Sequence, residues 1–233
     1  MSKGKLQKFA EMNTFQNVLQ PHSRDVLNND FVLKGKWNTN YFNNENKITL
    51  ELGCGKGEYT VGLAHRFPDK NFIGIDIKGS RIWKGAKEAI ESELSNVAFL
   101  RTRIEFINSF FSKNEIEEIW FTFPDPQLKK PLKRLTSSRF LNRYRKFLMP
   151  DGWINLKTDN TLLFEYTKAL AKHNGYEIAV ASNDIYGSGL ADDVLSIKTF
   201  YEKGWLAEGL RSHYIRFRLN IEKNAEEPPG DWR

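Results

Sequence analysis

One carboxylate, Asp125, sits between two prolines in the stretch Phe123-Pro124-Asp125-Pro126, which begins on the last residue of the apolar run 119–123. Pro124 and Pro126 fix φ at their own positions and bias Phe123 and Asp125 toward extended conformations. A carboxylate held in that way loses little freedom when it meets a partner, which suits positioning or electrostatic work. Positive charge follows at once. Between Asp125 and Asp151 there is no acidic residue, whereas the interval carries eight Lys and Arg, among them Lys129, Lys130, Lys133 and Arg134. A solvated helix usually mixes signs to gain pairs three and four residues apart. A one-signed segment fits a phosphate backbone, where charge neutralisation supplies much of the affinity.

A second constellation is Leu-Glu-Leu-Gly-Cys-Gly-Lys-Gly-Glu-Tyr-Thr, residues 50–60. Gly53, Gly55 and Gly57 let the backbone turn tightly and approach a ligand without a Cβ between them. The dinucleotide fingerprint asks for its third glycine at position 58, which is Glu58. A carboxylate there would face a pyrophosphate, so the pattern argues against NAD and for an adenosyl ligand without phosphates. Asp76 closes the run Gly-Ile-Asp. It can accept both hydroxyls of a ribose, or it can cap the helix that follows. Glu51, in the run before the loop, is either a cofactor contact or a paired carboxylate of the sheet.

These residues need elements to place them, and the chain alternates. Residues 47–52, 71–77, 97–102, 118–123 and 153–158 read as strands. Residues 58–67, 80–92, 137–149 and 161–175 read as helices, with a further helix near 104–113. Residues 176–182 and 213–220 read as two closing strands. Alternation of this kind predicts an α/β fold, a three-layer sandwich with a seven-stranded, mostly parallel sheet and helices on both faces. Ligands of such sheets sit beyond the carboxyl ends of the strands, where the residues singled out here fall. Residues 1–45 are polar and irregular and read as a basic N-terminal arm; 46–221 form the main domain and 222–233 a C-terminal tail. There is no internal repeat and no low-complexity linker.

The 233 residues carry a formal charge of +6 and a single cysteine, Cys54. That count excludes an internal disulfide and a zinc site built on several thiolates. No apolar run approaches the ~18–20 residues of a membrane span, and the N-terminus lacks the apolar core of a signal peptide. A cytoplasmic location is expected, with no membrane and no metal. Either a monomer or a homodimer is compatible with the chain.

The glycine loop and Asp76 resemble the first motif and the ribose-binding acid of the class I, Rossmann-like S-adenosyl-L-methionine-dependent methyltransferases. The Phe-Pro-Asp-Pro stretch followed by lysines narrows this, being similar to the tRNA (guanine-N7)-methyltransferase family. Leu-Lys-Thr-Asp-Asn (156–160), Thr-Phe-Tyr-Glu (199–202) and the basic-flanked Met-Asn-Thr-Phe-Gln-Asn (12–17) agree with it. The resemblance runs from about residue 45 to 220, and more loosely through the arm. It implies methyl transfer from S-adenosyl-L-methionine, leaving S-adenosyl-L-homocysteine, to N7 of a guanine in the variable loop of tRNA. It implies cofactor contacts from Glu51, Gly53, Gly55, Asp76, Arg103, Ile104 and Asp125, with Asp125 also catalytic. It implies substrate contacts from Lys129, Asp159, Thr199 and Glu202. Lys130, Lys133 and Arg134 would then grip the RNA backbone. Glu202 has a second reading as the partner of a neighbouring lysine.

Three departures stand out. Arg103 occupies the place where the family carries an acid near the adenine, and an arginine cannot accept from the adenine amino group. The backbone at Ile104, or Glu105, is the substitute. The basic stretch after Pro126 is short, for which Lys3, Lys5 and Lys8 are candidate compensation. Gln127 replaces a usual aromatic. Two other readings of the chain are a non-catalytic RNA-binding protein with a methyltransferase-like fold and an NAD-dependent oxidoreductase.

Overall fold

The computed structural model describes residues 3–207, 209 and 211–233. The chain divides into two compact units, Met1–Ser112 and Lys113–Arg233.

The first unit contains helix α1 (Lys3–Met12), strand β1 (Val18–Leu19), helix α2 (Ser23–Leu27) and strand β2 (Lys47–Leu52). Helix α3 (Glu58–Arg66), strand β3 (Lys70–Asp76), helix α4 (Gly79–Glu91) and strand β4 (Val97–Arg101) follow. The strand order is β1-β4-β3-β2, all parallel, with Leu50 opposite Ile73 and Phe72 opposite Val97. Every residue of β2 after Lys47 is buried, as expected of a parallel strand covered on both faces. Residues 104–113 form a 3-10 segment, Ile104–Ser109, in place of the expected helix. Its last carbonyls are taken by other chain: Phe31 N donates to Ser109 O and Trp37 Nε1 to Phe110 O. An α-helix has no carbonyls left there on which to extend.

Residues 3–45 are built into this unit. Trp37 is fully buried and stacks on Phe111 at 5.6 Å, while Met12 and Val26 are also buried. Phe99 N donates to Asn17 O, which extends the sheet by the two residues of β1. So short a strand leaves no periodicity to read.

The second unit holds strand β5 (Ile116–Thr122), helix α5 (Ser138–Tyr144), strand β6 (Leu148–Thr158) and helix α6 (Thr161–His173). Strand β7 (Ile178–Ser182), helix α7 (Phe200–Ala207) and strand β8 (His213–Arg218) complete it. The order is β5-β6-β8-β7, with β5 and β6 parallel and β8 antiparallel to both its neighbours. The described strands number eight, against seven expected; the α/β class, with mostly parallel strands flanked by helices, holds. The helix expected over 137–149 stops at Tyr144, because Leu148 already pairs with Ile116. Pro150-Asp151-Gly152 therefore lies inside β6 at a register shift, and a Cβ on Gly152 would come within 2.9 Å of Glu117 O. Residues 222–233 are docked: Glu227 accepts from Ser138 N (2.8 Å) and Tyr166 Oη (2.7 Å).

Candidate active site

The glycine loop leaves the carboxyl end of β2. Gly53 N and Cys54 N both donate to Ile75 O on β3, at 2.8 and 3.1 Å. Gly57 has φ +73, and a Cβ there would lie 2.6 Å from the Phe99 ring, so the loop can press onto the sheet only with glycine at this position. Gly55, at φ +56, faces open space instead: a Cβ would meet nothing nearer than Gly53 O at 4.0 Å. Two carboxylates hold the loop. Asp76 Oδ2 accepts from Gly55 N (3.0 Å) and Oδ1 from Lys78 N (2.7 Å). Glu51 Oε2 accepts from Thr60 N and Thr60 Oγ1, satisfying an otherwise orphaned donor at the start of α3. Burial pushes the Cys54 thiol well above its ordinary range, and the charges of Glu51 and Asp76 push it the same way. Arg103 is exposed just before the 3-10 segment, and Ile104, half-buried, opens it.

In the second unit β5 runs into Phe123, which has φ +50 rather than the extended conformation its neighbour Pro124 favours. The chain must turn sharply off the strand here, and Phe123 N is held by Lys157 O at 2.8 Å. A bulky residue in the left-handed region stores about 1–3 kcal/mol of strain that its surroundings must offset. Asp125 is exposed, with Oδ1 accepting from Gln127 N at 2.9 Å. Lys129, Lys130 and Lys133 are exposed around the next turn. Arg134 is not. Its side chain is fully buried, its guanidinium lies 4.4 Å from the centre of the Tyr166 ring, and Nε donates to Pro126 O at 2.9 Å. Tyr166 and the docked segment 222–233 cover the side chain, so the structure gives Arg134 internal partners where the sequence reading expected an RNA phosphate.

Beyond β6, Asp159 is half-buried; burial raises its carboxyl above the ordinary value, while His213 opposes the shift. Thr199 caps α7, its Oγ1 accepting from Glu202 N at 3.2 Å. Glu202 is fully buried and pairs with Lys157 at 2.7 Å; it also accepts from Tyr186 Oη (2.7 Å) and Ser212 Oγ (3.2 Å). The lysine pairing is the second of the two readings of Glu202. Burial lowers the Lys157 ammonium pKa despite that partner, and Lys157 further donates to Leu195 O and Ile197 O. Lys157 thereby ties the segment before α7 to the end of β6.

Among the described residues no group of three or more His, Cys, Asp or Glu is placed to hold a metal ion, and no helix is long and apolar enough to cross a membrane.

Comparison with known proteins places this arrangement. The family model "Putative methyltransferase" matches residues 45–213. A tRNA (guanine-N(7)-)-methyltransferase of Bacteroides thetaiotaomicron is 54% identical over 228 residues, covering 98% of this chain and 90% of that protein. The chain belongs to the tRNA (guanine-N7)-methyltransferase family. The relative bearing the same name in Porphyromonas gingivalis is 53% identical, over 95% of this chain and 90% of its own length. Among solved structures, an antibiotic-related methyltransferase (20% identical, TM-score 0.58, 77% of this chain and 90% of that one) shares the fold. So does a 30S ribosomal A1408 methyltransferase from an uncultured bacterium (16%, TM-score 0.57, 78% and 91%).

For a tRNA (guanine-N7)-methyltransferase, the donor it requires fits the first unit. Gly55 leaves its backbone open to a ligand, and the carboxylates of Glu51 and Asp76 at this loop are the wrong sign for a pyrophosphate and compatible with a sulfonium. The side chains of Lys3 and Lys5 lie outside the described residues, whereas Lys8 sits 4.5 Å from the centre of the Trp83 ring. Sequence reasoning missed Lys157 and α7. Both had signals: a lysine in a buried strand needs a buried partner, and Thr-x-x-Glu is a capping-box pattern announcing a helix.

Proposed function

We propose that this chain methylates N7 of a guanine in the variable loop of tRNA, with S-adenosyl-L-methionine as donor, in the cytoplasm. The observation that carries the reading is the glycine loop pinned by Asp76, in a chain of this family. When bound, the donor supplies a methyl group on a sulfonium centre. Asp76 retains lone pairs on both oxygens for the ribose hydroxyls. Glu51, Gly53 and Gly55 shape the loop around the methionyl part. Ile104 serves the adenine through its backbone, and Arg103 stands exposed beside it.

Guanine N7 carries a lone pair and no proton, so no residue has to act as a general base. What the reaction asks of the protein is alignment, worth up to about 7–11 kcal/mol in the best intramolecular cases. It also asks for charge stabilisation as the purine becomes cationic. Asp125, exposed and closed into its own turn by Gln127 N, supplies the anionic group, and Lys129 contacts the substrate. Asp159 accepts from the guanine N1–H and N2–H groups and Thr199 adds a hydroxyl contact. Glu202, paired with Lys157, acts by holding Thr199. Lys130 and Lys133 hold phosphates.

The test is mass spectrometry of nucleosides from unmodified tRNA incubated with the protein and S-adenosyl-L-methionine. N7-methylguanosine is the expected product, located in the variable loop by nuclease mapping. A different methylated base, or none, rejects the reading.

A further inference from the structure

We infer that Arg134 is a positioning residue for the Asp125 loop, and that segment 222–233 acts through it as a strap that sets turnover. The inference rests on the reading of Asp125 above.

Burying a guanidinium is expensive unless its donors are engaged, and here the partners come from two distant stretches of chain. Nε donates to Pro126 O, the carbonyl of the residue after Asp125. Nη2 donates to Trp232 O, 98 residues away. Nη1 is buried without a hydrogen-bond partner. The plane of the group rests on Tyr166, whose ring also meets the Trp232 indole edge-on at 5.7 Å. Tyr166 is held in turn, its hydroxyl donating to Glu227 Oε2 while Glu227 Oε1 takes Ser138 N at the start of α5. Segment 222–233 therefore fixes Tyr166, and with it fixes the guanidinium.

The loop end of this chain explains why it matters. Asp125 Oδ1 and Gln127 N close the turn from one side, and Gln127 stands at φ +47. Arg134 Nε fixes the Pro126 carbonyl within the same turn. With φ locked by the ring of Pro126, pinning its carbonyl sets the Pro126–Gln127 peptide plane, whose N–H is the one that Asp125 Oδ1 accepts. A lysine at 134 has no planar fork: it can reach one carbonyl, but it cannot serve both while stacking on Tyr166.

The test compares Arg134→Lys, a chain ending at Glu227, and the two changes combined. Each is assayed with tRNA and S-adenosyl-L-methionine, and kcat is expressed per molecule that binds S-adenosyl-L-homocysteine in calorimetry, so partial unfolding does not imitate a slow enzyme. Expected are a kcat lower by about tenfold to a hundredfold, the scale on which small misplacements act, and unchanged S-adenosyl-L-homocysteine affinity. The combined variant should be no slower than the worse single one, since both changes cut the same connection. Wild-type kcat in Arg134→Lys, or losses that multiply in the combined variant, overturns the proposal. If the shortened chain does not fold, Arg134→Lys at full length decides. Full turnover in Asp125→Ala overturns the reading of the loop and the strap with it. Loss in Asp125→Ala beside wild-type kcat in Arg134→Lys overturns the strap alone.

Discussion

Lys157 and Glu202 meet at 2.7 Å with neither side chain exposed to solvent. One comes from the end of β6 and the other from the first turn of α7, so the ion pair holds the Thr199 segment against the sheet.

Removing one member of that pair leaves the other charged and buried. Lys157→Met should destabilise the protein by about 3–5 kcal/mol, whereas Lys157→Met with Glu202→Leu should recover much of the loss. Denaturant unfolding of the three proteins measures this. A Lys157→Met chain as stable as the wild type would show that the pair contributes nothing.

Asp159 carries a carboxyl raised above its ordinary value of 3.8 by burial. In the window between 3.8 and the raised value the folded state binds more protons than the unfolded one. The stability penalty is therefore complete above the folded pKa and vanishes as pH falls below the unfolded value. Asp159→Asn should be more stable than wild type at neutral pH and show no gain in strong acid, while its KM for tRNA rises. Melting curves across pH check the first part; a gain that grows on acidification contradicts the sign.

Gly57 and Gly55 separate packing from ligand access. Gly57→Ala places a methyl 2.6 Å from the Phe99 ring at φ +73 and should lower stability as well as donor binding. Gly55→Ala meets no such obstacle, so its stability loss should stay near the ~1–2 kcal/mol of a left-handed alanine. Its donor affinity should still fall at least about tenfold, the effect of ~1.4 kcal/mol. Calorimetry with S-adenosyl-L-homocysteine, paired with melting, distinguishes the two; unimpaired binding in Gly55→Ala would remove that glycine from the donor site.

Lys130→Ala with Lys133→Ala should weaken tRNA binding and reduce the salt slope by about 0.7–0.9 for each phosphate that is no longer neutralised. Arg134→Lys should leave the slope unchanged, because the side chain at 134 is buried. A slope that moves with Arg134 and not with the lysines would reverse the assignment.

Much of this was legible along the chain. The strand over 47–52 and the glycine turn after it follow from local rules: a continuous apolar run and residues that tolerate positive φ. Asp76 and Asp125 stood out because one ends a strand and the other lies just past one, and strand ends can be read from hydrophobic pattern and proline. Phe123 was misread in conformation: its N–H still bonds the neighbouring strand at Lys157 O, and the left-handed turn it makes is not encoded in the Phe-Pro pair.

Local pattern thus established the α/β class and singled out the glycine loop and the carboxylates that follow the strands, since turn chemistry and periodicity act over a few residues. Whether a charged side chain meets solvent or the interior depends on segments far away in sequence. Arg134 is covered from Trp232, 98 residues on, and Lys157 is met by Glu202, 45 residues on. Trp37 is buried on Phe111 in the same manner. Folding brought those pairs together and gave Arg134 and Glu202 internal partners, because desolvating a charge is tolerated only where a distant partner arrives to satisfy it.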